Sequence, residues 1–264
     1  NIRNQHLKPY SERFWDLIEP NAFLKTEYSG TKWAEGPTWH PTASKLIWSD
    51  VPENKMYCLN SDNTVDLYKA SSDYTNGNFI DQKGRLISCQ HGKRRVVRKE
   101  KSGITTIIAD NFQGKKLNSP NDVIVKKDGS IWFTDPPYGI MSNEEGFKSE
   151  SELAGNFVFK VNSQNNISIV VDNFDKPNGL VFSPDEEFLY ISDSGASYNG
   201  KIHRNKPHHI RKFKVNKNNN LKDIGIFAVI DPGVPDGMTV DSIGNIYTSS
   251  WDSIQIFDPL GKNL

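Results

Sequence analysis

The apolar residues of this chain fall into short runs that come in pairs across tight polar turns. Val123-Ile-Val125 and Ile131-Trp-Phe-Thr134 flank a turn at Asp128-Gly129, and Asn121 stands just ahead of the first run. Two short apolar segments joined by Asp-Gly read as a β-hairpin. The same frame, a carboxylate or carboxamide followed by Gly or Asp and then two apolar runs, begins at Glu35, Asn76, Asn121, Asn178 and Asp236. Successive starts lie 41, 45, 57 and 58 residues apart, a spacing of the order that marks propeller blades or solenoid units. Most frames are followed by a second pair of strand-like runs, such as Asn156–Val161 and Ile167–Val171. Four short strands per repeat make one blade, so the pattern predicts an all-β propeller with four-stranded antiparallel blades.

The blades begin near residues 33, 74, 117, 176 and 234 of a single domain spanning 1–264, and residues 1–30 precede them. Ser11–Ile18 has an N-cap candidate, an early acid, and Phe14, Leu17 and Ile18 at helical spacing before Pro20, so a short helix on the outside or base of the propeller is expected. Ala22–Tyr28 reads as a strand of the last blade that helps to close the ring and remove its edges. A further frame is due after Asp236 while the sequence given ends at Leu264, so the chain holds either five blades or a sixth that is incomplete. Blades three and four carry insertions at Ile140–Gly155 and Gly195–His209. Both follow the second strand of a hairpin, which places them on the face of the frame-opening residues, as walls over a site or as solvated excursions.

Those opening residues read Glu, Asn, Asn, Asn, Asp. Asn-Gly and Asp-Gly favour turns for local reasons, and for any one frame that reading suffices. In a propeller, however, equivalent positions of successive blades face one axis, and five oxygen-bearing side chains in register point to a binding site there. Hard oxygens with two carboxylates suit Ca2+, which takes about six to eight oxygen ligands in flexible geometry, better than Zn2+, which prefers His and Cys. An open cation site can polarise a carbonyl or phosphoryl oxygen, and a neighbouring carboxylate can serve as general base. No Gly-x-Ser-x-Gly elbow and no Cys/His pairing competes as a hydrolytic site, and the His208-His209 pair in a polar loop reads as surface.

Composition narrows the partners. The chain has 264 residues, 36 % hydrophobic, with Lys+Arg and Asp+Glu equal at 32 each, so no global field favours nucleic acid or an anionic membrane. No stretch approaches a transmembrane helix. Cys58 and Cys89 fall in strand-like runs and read as buried free thiols. The start shows neither Met nor an apolar signal core, which leaves the compartment of a soluble chain open between cytoplasm and periplasm.

Six motifs in collinear order from Trp33 to Pro259 carry a family resemblance: Trp33-Ala-Glu-Gly-Pro, Gln90-His-Gly-Lys-Arg-Arg-Val-Val-Arg98, Ser119-Pro-Asn-Asp-Val, Phe133-Thr-Asp-Pro-Pro-Tyr-Gly139, Lys176-Pro-Asn-Gly-Leu180 and Val234-Pro-Asp-Gly-Met238. Together they resemble the gluconolactonase and regucalcin-like family. The resemblance implies a six-bladed propeller with a catalytic divalent ion, Ca2+ or in its place Mn2+, Mg2+ or Zn2+, in the central channel. It implies Glu35, Asn178 and Asp236 as metal ligands, Asp236 also as catalytic base, and Asn121 as a ligand or substrate contact. His91, Arg94, Asp135 and Tyr138 lie in its motifs, the first two and Tyr138 as substrate contacts, while Asp135 could equally pin a turn. The implied function is hydrolysis of a sugar lactone such as glucono-1,5-lactone. The alternatives are a phosphotriesterase-like activity of the diisopropyl fluorophosphatase kind and a non-catalytic calcium-binding propeller.

Overall fold

The computed structural model describes residues 6–198 and 200–264, and its strands hydrogen-bond in chain order within each blade. Blade one comprises Ala34–His40, Lys45–Asp50, Lys55–Leu59 and Val65–Lys69; blade two comprises Thr75–Ile80, Leu86–Gln90, Arg95–Lys99 and Thr105–Ala109. Blade three comprises Val123–Val125, Ile131–Asp135, Asn156–Val161 and Ile167–Phe174, and blade four Pro177–Phe182, Phe188–Asp193, His209–Val215 and Leu221–Val229. Blade five has three strands, Met238–Val240, Ile246–Ser249 and Ile254–Phe257. The described residues thus form five blades, four of them four-stranded and the last three-stranded.

Local chemistry explains the hairpins. At Asp81, Asp128, Asp241 and Asp258 the carboxylate accepts backbone N–H groups two or four residues ahead, and the glycine that closes each of these turns has positive φ. Such side-chain turns satisfy the backbone where the ladder stops and tolerate the left-handed region.

Hydrophobic burial lies between blades. Ile47, Met56 and Cys58 of blade one meet Leu86 of blade two; Ile87, Cys89 and Val96 meet Val123, Phe133 and Phe159 of blade three. Trp132 and Val158 then meet Leu180, Leu189 and Ile191, and Tyr190 and Ile210 meet Ile246 and Phe257. Each blade therefore hides one face against the next, which makes the repeat cooperative. Both cysteines are buried and free.

The N-terminal helix forms as a 3-10 helix, Glu12–Leu17, with the Ser11 hydroxyl accepting Arg13 N–H. It docks on blade five: Tyr10 and Ser11 N–H groups donate to the Leu264 carbonyl, and Arg13 pairs with Asp258 at 3.1 Å. Ala22–Tyr28 does not form the expected strand. It has no ladder partner, and Tyr28 instead packs on Trp48 and Tyr57 of blade one. His209, expected in a loop, opens a strand paired with Asp193 and Val229.

Candidate active site

The residue that opens each frame stands at or just before its innermost strand. In blades one, two and four the ladder shifts register there, between Glu35 and Thr38, Thr75 and Asn78, and Pro177 and Leu180. An extra residue in one strand bends it and re-aims a side chain, here away from the sheet and toward the axis. The following glycine is what lets neighbours approach. A Cβ on Gly36 would stand 2.3 Å from the Asn76 carbonyl oxygen, on Gly77 2.4 Å from that of Asn121, and on Gly179 2.3 Å from that of Asp236.

Blade three replaces this glycine by Asp122, whose carboxylate accepts Val123 N–H at 2.9 Å and Leu180 N–H of blade four at 3.1 Å. Hydroxyls of the second strands complete the hoop. Ser49, Thr134 and Ser192 donate to the carbonyls of Asn76, Asn178 and Asp236, each on the next blade, at 2.9, 2.6 and 3.1 Å. Backbone groups are thus spent on ring closure, while the Asn178 side chain bonds the Asp236 carboxylate.

Glu35, Asn76, Asn121, Asn178 and Asp236 all line one axial cavity of about 750 Å3, together with Asp122. Its wall contains no Lys, Arg or His. Glu35 and Asp236 are half-buried but enclosed by enough protein that burial raises both pKa values. Mutual repulsion adds to the shift of Glu35, and Asn178 and the Gly237 N–H oppose that of Asp236. Burial also pushes Asp122 up to about 7, against two N–H donors. Buried carboxylates without a positive partner are costly, and a divalent cation would relieve that cost. Among the described residues no three His, Cys, Asp or Glu side chains gather as a metal site; an oxygen set of two carboxylates and amides is a different construction, and it fits Ca2+.

The remaining expected residues lie around the ring. Arg94 is outside the cavity wall: its Nε donates to the carbonyls of Leu117 and Asn118 at 2.6 and 3.1 Å, and its Nη1 reaches Ser149. His91 is fully buried, with Nδ1 3.1 Å from the Glu145 carbonyl, and burial lowers its pKa to about 4, so the imidazole is neutral. Tyr138 has its hydroxyl buried and unpaired. Burial and then the charge of Asp236 raise its pKa, while the Ser194 hydroxyl, which donates to the Pro235 carbonyl, lies close enough to lower it. Asp135 pins a turn, accepting Asn118 N–H at 2.8 Å, and burial pushes it up to about 7.

One titratable residue outside the cavity wall escapes the sequence reading. Glu145, in the first insertion, is pushed up to about 7 by burial and by Asp236. The insertion's acid-rich composition was the only signal for it. The second insertion forms a two-residue hairpin, Ser197–Tyr198 with Lys201–Ile202, outside the cavity wall.

A propeller whose blades each bring a carboxylate or carboxamide to one axial cavity belongs to the class of β-propellers with an oxygen-lined axial site. The chain belongs to the SMP-30/gluconolactonase/LRE-like family, whose profile matches residues 33–264. It is 29 % identical over 270 residues to a gluconolactonase of Zymomonas mobilis, covering 97 % of this chain and 75 % of that protein. A solved gluconolactonase structure from Xanthomonas campestris superposes with a TM-score of 0.82 at 36 % identity, covering 90 % of this chain and 77 % of that one. Regucalcin of Agrobacterium tumefaciens, described as a calcium-binding protein, shares the fold with a TM-score of 0.69 at 16 % identity, covering 90 % and 75 %. The family's solved structures are six-bladed propellers.

Proposed function

We propose that this chain hydrolyses a sugar lactone of the gluconolactone kind, with Ca2+ held by Glu35, Asn178 and Asp236. The observation that carries the reading is the pair of enclosed carboxylates beside three amides in a cavity without a cationic side chain. Kinship to gluconolactonases supplies the substrate class. A bound Ca2+ supplies a Lewis acid for the lactone carbonyl.

The protein's own part follows from its residues. Asp236 takes a proton from the attacking water; the water oxygen bonds to the carbonyl carbon, the ring C–O bond breaks, and the proton passes to the released ring oxygen. Glu35 offsets positive charge without contacting that proton, and Asn121 accepts or donates to the sugar hydroxyls. A cavity of about 750 Å3 has room for a hexose-sized ring and its water.

Acid release from glucono-1,5-lactone in weak buffer tests the reading, compared with the spontaneous rate. Catalysis should disappear on exhaustive chelation and return with Ca2+. A rate equal to the spontaneous one in saturating Ca2+ would sink it, and turnover confined to organophosphates would move the chain to the phosphotriesterase alternative.

A further inference from the structure

A second cleft, of about 370 Å3, opens on the face of the propeller that carries the frame-opening residues. Its wall is made by Lys32 and Trp33, which lead into the first strand of blade one, by Pro52, which follows the second strand, and by Asn143 and Glu144 of the first insertion. Ala34 pairs with Asp50 and Val123 with Phe133, so first strands start and second strands end at the same end of each blade. The insertion is therefore one side of this cleft, and Trp33 with Pro52 is the other.

Trp33 dominates the wall. Its side chain is left 46 % exposed, which for a single aromatic residue on a surface is ordinary, but this one is held rigidly. The buried carboxylate of Asp50 accepts the N–H groups of Lys32 and Trp33 at 3.0 and 3.2 Å, and the Trp33 carbonyl accepts Val51 N–H at 3.3 Å. The next two residues, Ala34 and Glu35, line the axial cavity. An extended chain advances about 3.3–3.6 Å per residue, so about 7 Å of backbone joins Trp33 to Glu35. The indole N–H also donates to the Glu35 carboxylate. One edge of the indole is thus tied to the axial site, while its exposed part lies along the cleft.

The other groups decide what suits that surface. Lys32 and Glu144 carry opposite charges, so the cleft has no net charge to attract an anion or a cation. The Asn143 amide oxygen accepts Lys148 N–H at 2.9 Å, which leaves its N–H groups as donors for a ligand. A pyranose ring has an apolar C–H face, which an indole covers favourably by excluding water, and rim hydroxyls that accept from amide and ammonium groups.

We propose that this cleft is a subsite for a second sugar ring, with Trp33 as its stacking platform, so that the chain acts on glycosylated aldonolactones and not on monosaccharide lactones alone. The lactone ring occupies the axial cavity, and the glycosyl group reaches out over Trp33. The reaction rests on the lactonase reading; the affinity of the cleft for a sugar is measured separately from it.

The test compares kcat/KM for lactobiono-1,5-lactone and melibiono-1,5-lactone, galactosylated on O4 and O6 respectively, with that for glucono-1,5-lactone in saturating Ca2+. At least one disaccharide lactone should exceed glucono-1,5-lactone by about tenfold, the worth of a covered apolar face and a hydrogen bond. Trp33→Ala should bring that ratio to about one. Trp33→Phe keeps an aromatic ring and loses the bond to Glu35, a loss that weighs on both substrates and cancels in the ratio, so most of the preference should remain. Asn143→Ala should lower the ratio by about threefold.

Calorimetry with lactose and melibiose, which the protein does not hydrolyse, reads binding alone. One of them should bind about tenfold tighter than glucose in the native protein, and no tighter than glucose in Trp33→Ala. Ratios at or below one for both disaccharide lactones, or a preference that survives Trp33→Ala, would overturn the proposal while hydrolysis of glucono-1,5-lactone leaves the lactonase reading standing. Disaccharide binding that depends on Trp33, with no lactone hydrolysed, sinks the lactonase reading and leaves the subsite. If no disaccharide binds and no lactone is hydrolysed, both fall.

Discussion

Asp236 and Glu35 carry the same charge in one cavity, and the proposed mechanism gives them different duties that substitution separates. Asp236→Asn keeps an oxygen and nearly the same volume but removes the proton acceptor, so kcat should fall by about two to four powers of ten with Ca2+ still bound. Glu35→Gln removes charge without removing the base, so excess Ca2+ should restore part of its rate. Equal rescue of both variants in steady-state assays would make Asp236 a ligand only. The pH profile follows from the same pair. Burial holds both carboxyls above their ordinary range in the cation-free protein, whereas a bound cation favours the ionised form. Apparent Ca2+ affinity measured by titration should therefore weaken as pH falls below neutrality, and activity with it.

At the scale of elements, the ring is built from main-chain contacts between neighbouring blades. Thr134 donates to the Asn178 carbonyl at 2.6 Å and accepts Asp122 N–H at 3.2 Å, and it is fully buried. Thr134→Val keeps the shape and strips both bonds, leaving buried backbone groups unpaired at a cost of about 1–3 kcal/mol for each. Urea denaturation should show a loss of that order, with Ca2+ affinity reduced because Asn178 is displaced. Gly179→Ala should be worse than Gly237→Ala: the added Cβ meets the Asp236 carbonyl at 2.3 Å in the first case and nothing within 4 Å in the second. Comparable melting temperatures for the two variants would contradict this account of the glycines.

For the whole molecule, proton uptake ties stability to pH. Asp122, Asp135 and Glu145 are each pushed up to about 7 in the folded state, against about 4 in an unfolded chain. The folded state therefore binds more protons between these values. That contribution is complete near pH 4 and is lost as pH rises through 7. His91 acts in the opposite sense: its folded value of about 4 lies below the unfolded value of about 6.5, so its contribution is complete above 6.5 and fades toward 4. Three carboxylates outweigh one imidazole, so the cation-free protein should melt at lower temperature at pH 8 than at pH 5. Added Ca2+ should raise the melting temperature more at pH 8, since it binds the folded state alone and repays the repulsion there. Calorimetry at the two pH values, with and without chelator, checks both signs.

Much of this molecule is local and therefore readable in the chain. The Asp-Gly turns, the paired apolar runs and the recurrence of Glu35, Asn76, Asn121, Asn178 and Asp236 depend on neighbours a few residues apart, and blade architecture follows once they repeat. What lies between blades needed the tertiary structure. Ala22–Tyr28 has the pattern of a strand, yet a strand requires a ladder partner, and Tyr28 packs against Trp48 and Tyr57 instead. Arg94 and His91 sit in motifs that suggested substrate contacts; Arg94 bonds the Leu117 and Asn118 carbonyls and the Ser149 hydroxyl, and His91 the Glu145 carbonyl. Glu145 had no register to betray it, because a long insertion has no period. Its place is set by Gly146 against Gly139 and by His91, contacts between segments up to 54 residues apart. Periodicity marks which side chains share an axis, whereas the path of an aperiodic loop is decided only by the surfaces it finds.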